Sequence, residues 1–299
     1  ALAPQLGTLG LTARLMAAAA FLVAGDAASA LAELGGCQTE GQPEARRATL
    51  LRARSLEALG RRQDAAGAWR EYIQRWDDRD RTTLTAVECI ARTGPESDRE
   101  VAAMLRGIIA RSPHSEAAID AEKRLQTLPK RLQALTLEEL LVRLEAQVAR
   151  RAVDPALETA KRIRAARPGS DAACRSALLE ARALDKGRRR RAMARADEDL
   201  TAFCPVGATA SAERRDAAAE IAYLAGKAHR SVGATADAIA RFGAVADLSP
   251  TSSLADDGLV AQAALLSGQN RVRAAQIALE RAMALGGDQS ETAAFDLFW

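Results

Sequence analysis

Aromatic side chains make up only 3% of this 299-residue chain, and the β-branched and aromatic residues that favour strands are scarce. That poverty argues against a β-rich core. There are only two histidines, His114 and His229, far apart in sequence. Neither stands in a cluster of cysteines or carboxylates with ligand spacing, so no metal site is expected. The chain contains no G-x-x-x-x-G-K-[ST], no G-x-S-x-G and no H-E-x-x-H, which removes the commonest local signatures of phosphate binding and hydrolysis. No catalytic residue and no cofactor are expected. The acidic residues fall on presumed polar helix faces, where solvated carboxylates are the ordinary reading. No apolar run approaches the roughly 18 residues of a membrane-crossing helix. A net charge of +3 is too small a surplus to mark a nucleic-acid binder.

What is plentiful is alanine, 70 residues of it, within a hydrophobic content of 48%. Alanine is the strongest helix former, and its small side chain lets helices approach closely. Each such contact buries little area, at about 25 cal/mol per Å², so many are needed.

The segment from Ile221 to Pro250, IAYLAGKAHRSVGATADAIARFGAVADLSP, organises the reading. Gly226 leaves room for a partner helix, Gly233 supplies a turn, and Ala238 is small where two helices cross. Phe242 fills the groove one turn later, and Pro250 ends the second helix. Turn glycines recur at Gly25, Gly60, Gly187, Gly233 and Gly268, with steps of 35 residues from 25 to 60 and from 233 to 268. Hairpins are predicted at 8–36, 45–77, 136–167, 172–204, 212–249 and 253–286. Single helices are predicted at 82–92, 97–111 and 114–127, with Asp98 and Ser115 as caps. Ala65 and Trp69 follow Gly60 as Ala238 and Phe242 follow Gly233. This spacing resembles the tetratricopeptide repeat, whose units bury their apolar faces only by stacking. The expected fold is all-α: an α-solenoid of about seven such hairpins, forming a single domain over 1–299. Residues from Glu291 onward are read as a further helix, with Phe295, Phe298 and Trp299 turned toward a neighbour.

Four cysteines are present: Cys37, Cys89, Cys174 and Cys204. Cys174 begins the first helix of a hairpin and Cys204 ends the second, so antiparallel packing brings them together. A disulfide there points to an oxidising compartment; the other reading is four small buried residues in a cytosolic protein. Pairing of Cys37 with Cys89 stays open. The run from Lys186 to Arg191 holds four consecutive arginines across a turn. No aromatics interleave it for base stacking, and it reads as a solvated loop. His229, near a turn, reads as structural or surface, and His114 as solvated at a helix start. Arg14, the apolar stretch after it and Ala28-Ser29-Ala30 mimic a signal peptide, but the repeat register of Gly25 favours a helical hairpin.

Several phrases also resemble the helical superhelix of periplasmic soluble lytic transglycosylases. They are Leu2-Ala3-Pro4 before a helix, Gly25-Asp26, Arg111-Ser112-Pro113-His114-Ser115, Leu137-Glu138-Glu139-Leu140-Leu141, the Cys174 to Cys204-Pro205 hairpin, and Ser253-Leu254-Ala255-Asp256-Asp257. The resemblance implies a periplasmic, non-catalytic scaffold that holds a lysozyme-like, peptidoglycan-cleaving domain. That domain's Gly-Leu-Met-Gln motif is absent here, and the Glu96-Ser97 pair stands alone without it, so no catalytic residue is carried over. Partners are then a protein or the chain's own downstream domain, with peptidoglycan nearby. The alternative is a stand-alone repeat adaptor of the cell envelope. A polar concave face would suit that role, but the chain has one asparagine, Asn270.

Overall fold

A computed structural model describes residues 3–35, 44–76 and 81–298. Among the described residues there are seventeen α-helices and no strand. Alanine abundance and the lack of strand formers lead to this outcome directly. The chain falls into two compact units, Ala1–Leu135 and Thr136–Trp299.

The first unit holds α1 (Ala3–Val23), α2 (Ala27–Gly35), α3 (Ala45–Ala58), α4 (Arg62–Trp76), α5 (Arg81–Ala91), α6 (Asp98–Arg111), α7 (Glu116–Leu125) and the short α8 (Lys130–Gln133). A 3-10 turn at Pro95–Ser97 leads into α6. Gly25 and Gly60 take positive φ, +83° and +71°, and so close the α1–α2 and α3–α4 hairpins. Trp69 and Tyr72 on α4 are fully buried and meet edge to face with ring centres 5.8 Å apart. With so few aromatics, these two supply much of the large-side-chain packing around Leu105, Ile108 and Ile109.

The second unit holds α9 (Leu137–Ala149), α10 (Val153–Ala166), α11 (Asp171–Lys186), α12 (Arg190–Ala202), α13 (Ala212–Val232), α14 (Thr235–Leu248), α15 (Ala255–Gly268), α16 (Val272–Leu285) and α17 (Ser290–Phe298). They pair as successive hairpins, α9 with α10 through α15 with α16, and α17 packs after α16. A full capping box starts α9: the Glu139 amide donates to Thr136 Oγ1 at 3.2 Å, and the Thr136 amide donates to Glu139 Oε2 at 2.8 Å. Ser170 and Ser211 cap α11 and α13 in the same sense, each hydroxyl accepting an amide three residues on. These caps satisfy helix amides that have no partner within the helix.

Several expectations are corrected. Gly187 and Gly268 lie at turns but do not carry the left-handed backbone, which falls instead on Arg188 (φ 57°) and Asn270 (φ 59°). Gly268 is the last residue of α15 itself. Gly187 matters for closeness, because a Cβ there would collide with Val153. Asp98 is not a cap: it is the first residue of α6, behind Ser97. Ser115 does cap α7, its hydroxyl accepting the Ala118 amide at 3.1 Å. The helix α8 after Pro129 was not anticipated. Cys37 and Trp299 lie outside the described residues, and Cys89 is buried as a free thiol; burial pushes its pKa up.

Candidate functional site

The first helices of successive hairpins in the second unit, α9, α11 and α13, lie side by side. Their exposed residues form one face. Between the N-terminal halves of α11 and α13 this face opens into a groove of about 550 Å³. Leu141, Leu178, Cys174 and Ala217 give it an apolar floor, and Asp171, Arg175 and Glu213 place charges at its rim. The floor exists because α11 repeats apolar residues at helical spacing, and Ala217 leaves room where a larger residue would fill the space.

Ion pairs fix the helices that line this face. Arg214 Nε and Nη2 donate to Asp171 Oδ1 at 2.9 and 2.6 Å, and Nη2 also reaches the Gly169 carbonyl at 3.2 Å. Arg175 pairs with Glu145 across α11 and α9. Arg182 grips Glu220 with two hydrogen bonds of 2.6 Å, a bidentate geometry that holds register as well as charge. Asp185 meets both Arg190 and Lys227. Burial alone would raise its pKa, but hydrogen bonds and charge from Arg190 and Lys227 hold it below the usual carboxylate range. Burial pushes the Tyr223 phenol up, aided by Asp257. Such half-exposed pairs add little stability each. Their consequence is a face on which Asp171, Arg175, Arg182 and Asp185 are held in preset positions.

A disulfide joins Cys174 to Cys204, with Cα atoms 4.6 Å apart. It ties the start of α11, on the floor of the groove, to the end of the α11–α12 hairpin. The repeat-marking residues sit as follows. Gly226 lies against Phe242, where an added Cβ would come within 2.8 Å of the ring. Gly233 caps α13 with φ 82°, Ala238 and Phe242 are fully buried, and Pro250 is exposed just after α14.

Two of the four consecutive arginines are engaged locally. Arg189 holds Asp154 through two hydrogen bonds of 2.7 and 2.9 Å, and Arg190 pairs with Asp185. His114 is exposed, with φ 71°.

His229, by contrast, belongs to a polar cluster that the sequence did not announce. Asp197 on α12 is almost fully buried and accepts from Arg241 Nε at 2.6 Å; the His229 Nε2 to Asp197 Oδ2 distance is 3.0 Å. The three residues are 32 and 44 positions apart along the chain. One signal was available: Asp197 lies in the same helical phase as the buried Met193 and Leu200, and a carboxylate in an apolar stripe needs a partner. A second buried pair, Arg164 with Glu180 at 2.6 Å, sits under Phe203, with the guanidinium 4.8 Å from the ring centre. Burial raises the Glu180 pKa despite Arg164. Among the described residues no group of three or more His, Cys, Asp or Glu is placed to hold a metal ion. No described helix is long and apolar enough to cross a membrane.

No protein-family model matches the chain, and no curated protein matches it. Solved structures with a similar chain path include a tetratricopeptide repeat protein from Parabacteroides merdae, at 12% identity and TM-score 0.36, covering 97% of this chain and 98% of that one. Another is a Rap protein complexed with Competence and Sporulation Factor, at 11% identity and TM-score 0.37, covering 92% and 76%. A third is from the APC/C hetero-tetramer Cut9–Hcn1, at 15% identity and TM-score 0.31, covering 93% of this chain and 54% of that chain. The description of this chain as an all-α array of tetratricopeptide-like hairpins rests on its own helix pairing, turn glycines and spacing.

Proposed function

We propose that this chain is a non-catalytic scaffold that binds a protein segment on the first-helix face of its second unit. The observation that carries this reading is the groove over Leu141, Leu178 and Ala217, apolar below and charged at its rim. An apolar floor rewards burial of a side chain, and the rim charges Asp171 and Arg175, held by Arg214 and Glu145, select orientation more than affinity. The ion-paired helices around the groove favour a preset site, which lowers the ordering cost of binding.

More specifically, we propose that the chain acts in the cell envelope as the scaffold of a peptidoglycan-cleaving lytic transglycosylase, within a single continuous repeat domain. The phrases from Arg111-Ser112-Pro113-His114-Ser115 to the Cys174–Cys204 hairpin support the family. The disulfide supports an oxidising compartment. The test pairs the purified chain with a lysozyme-like domain encoded by the same gene and measures binding by calorimetry, with melting temperature recorded for each variant. Saturable binding that Leu178→Glu weakens by about tenfold or more, roughly 1.4 kcal/mol, supports the reading. Equal binding by a folded Leu178→Glu protein places the contact elsewhere and overturns the groove. Absence of such a domain from the gene removes the enzyme assignment and leaves an envelope adaptor.

A further inference from the structure

We propose that a second cavity, between α12 and α14, binds a primary ammonium group held between the His229 ring and the Asp237 carboxylate. This cavity is separate from the groove of the first-helix face and measures about 420 Å³. Arg195, Asp197 and Glu198 from α12, His229 from α13, and Asp237 and Arg241 from α14 line it.

The argument begins with hydrogen positions. An ionised Asp197 can only accept, so the His229 nitrogen that faces it, Nε2 at 3.0 Å, carries the hydrogen. In the neutral ring Nδ1 is then an acceptor. Nδ1 is buried and has no hydrogen-bond partner, on a residue with only 9% of its surface exposed. Asp237 Oδ2 lies 3.9 Å from it. With the ring neutral, two acceptors face each other with no donor between them, which is unfavourable for a buried group.

The surrounding charge points the same way. Arg241 neutralises Asp197 at 2.6 Å, and Arg195 Nε donates to the neutral Arg191 carbonyl at 3.2 Å. Three carboxylates, Asp197, Glu198 and Asp237, against two guanidiniums, Arg195 and Arg241, leave one negative charge in surplus, which favours a cation.

Distance separates the classes of cation. A donor making ordinary hydrogen bonds of about 2.8–2.9 Å reaches both acceptors across 3.9 Å. A tetrahedral metal about 2.0–2.1 Å from each ligand would need them closer, near 3.3 Å. An ammonium carries three donors, so one serves the ring, one the carboxylate and one remains for solvent. The Asp237 side chain is 67% exposed, so its carboxylate is free to turn as an amine enters.

With only two histidines in these 299 residues, ring-nitrogen NMR on this chain labelled with ¹⁵N-histidine is direct, and the exposed His114 is an internal reference. The probes are n-butylamine, a blocked Gly-Lys-Gly peptide, and tetramethylammonium, which has no hydrogen to donate, all at constant ionic strength and pH 7.5. We expect a saturable shift at His229 alone with n-butylamine or the peptide, none with tetramethylammonium, and at least about tenfold weaker binding in Asp237→Asn. Tighter binding of the peptide identifies a lysine side chain of a partner as the source, and equal or tighter binding of n-butylamine a small free amine. The proposal is overturned by an equal response to tetramethylammonium, by no saturable shift with either amine, or by a His229 ring already protonated on both nitrogens without amine.

Discussion

Gly226 and Gly233 stand on the same hairpin and are irreplaceable for different reasons. Gly226 is helical and abuts Phe242, whose Cδ1 would lie 2.8 Å from an added Cβ. Gly233 has open space around it but a left-handed backbone, φ 82°. Gly226→Ala is therefore an overpacking change, expected to cost about 1–3 kcal/mol, and Gly233→Ala a backbone change costing about 1–2 kcal/mol. Denaturant melts check both, and adding Phe242→Leu should relieve Gly226→Ala and leave Gly233→Ala unrelieved. Glu180 offers a pH test. Burial raises its pKa in the fold, with Arg164 opposing. The unfolded chain thus ionises at lower pH than the folded one. Its contribution is fully present below the ordinary glutamate pKa, about 4.3, and declines as pH rises through the folded value. The difference in stability between the parent and Glu180→Gln should shrink over that window. A difference that grows with pH would mean that Arg164 dominates instead.

The helices show what the sequence made legible. The α13–α14 hairpin was readable because its turn, its close approach and its plug are all local: Gly233, Gly226 and Phe242 fall within one repeat. The Cys174–Cys204 pairing was readable because two antiparallel helices bring their outer ends together. The hairpin turns fall next to Gly187 and Gly268, yet the left-handed residues are Arg188 and Asn270: Gly187 serves a close approach to Val153, and Gly268 is the last residue of α15. The Asp197–His229–Arg241 cluster was not readable because its members come from three helices, and pairing between helices is decided by packing. The disulfide closes a loop of 30 residues in sequence. Replacing both cysteines by serine should cost about 2–4 kcal/mol in the loop-entropy view, seen as a lower melting temperature. The same protein should show little further loss on adding reductant, whereas the parent should lose stability. Unchanged stability of the parent under full reduction would remove the disulfide as a staple of this hairpin.

Taken whole, the molecule compensates for small side chains by repetition. Trp69, Tyr72 and Phe242 are its largest fully buried side chains; elsewhere alanines set helix spacing and leave shallow grooves. One of those grooves, on α9, α11 and α13, carries the functional reading. The most direct measurement places a photo-crosslinking amino acid at Ala172, on the groove wall, and in a second protein at the exposed Arg162 on α10, and irradiates each purified chain mixed with the separately purified lysozyme-like domain. A single adduct of the two at Ala172, competed away by excess chain without the crosslinker, with none at Arg162, is the expected result. No adduct at Ala172, or the same adducts from both positions, would contradict a binding role for this face.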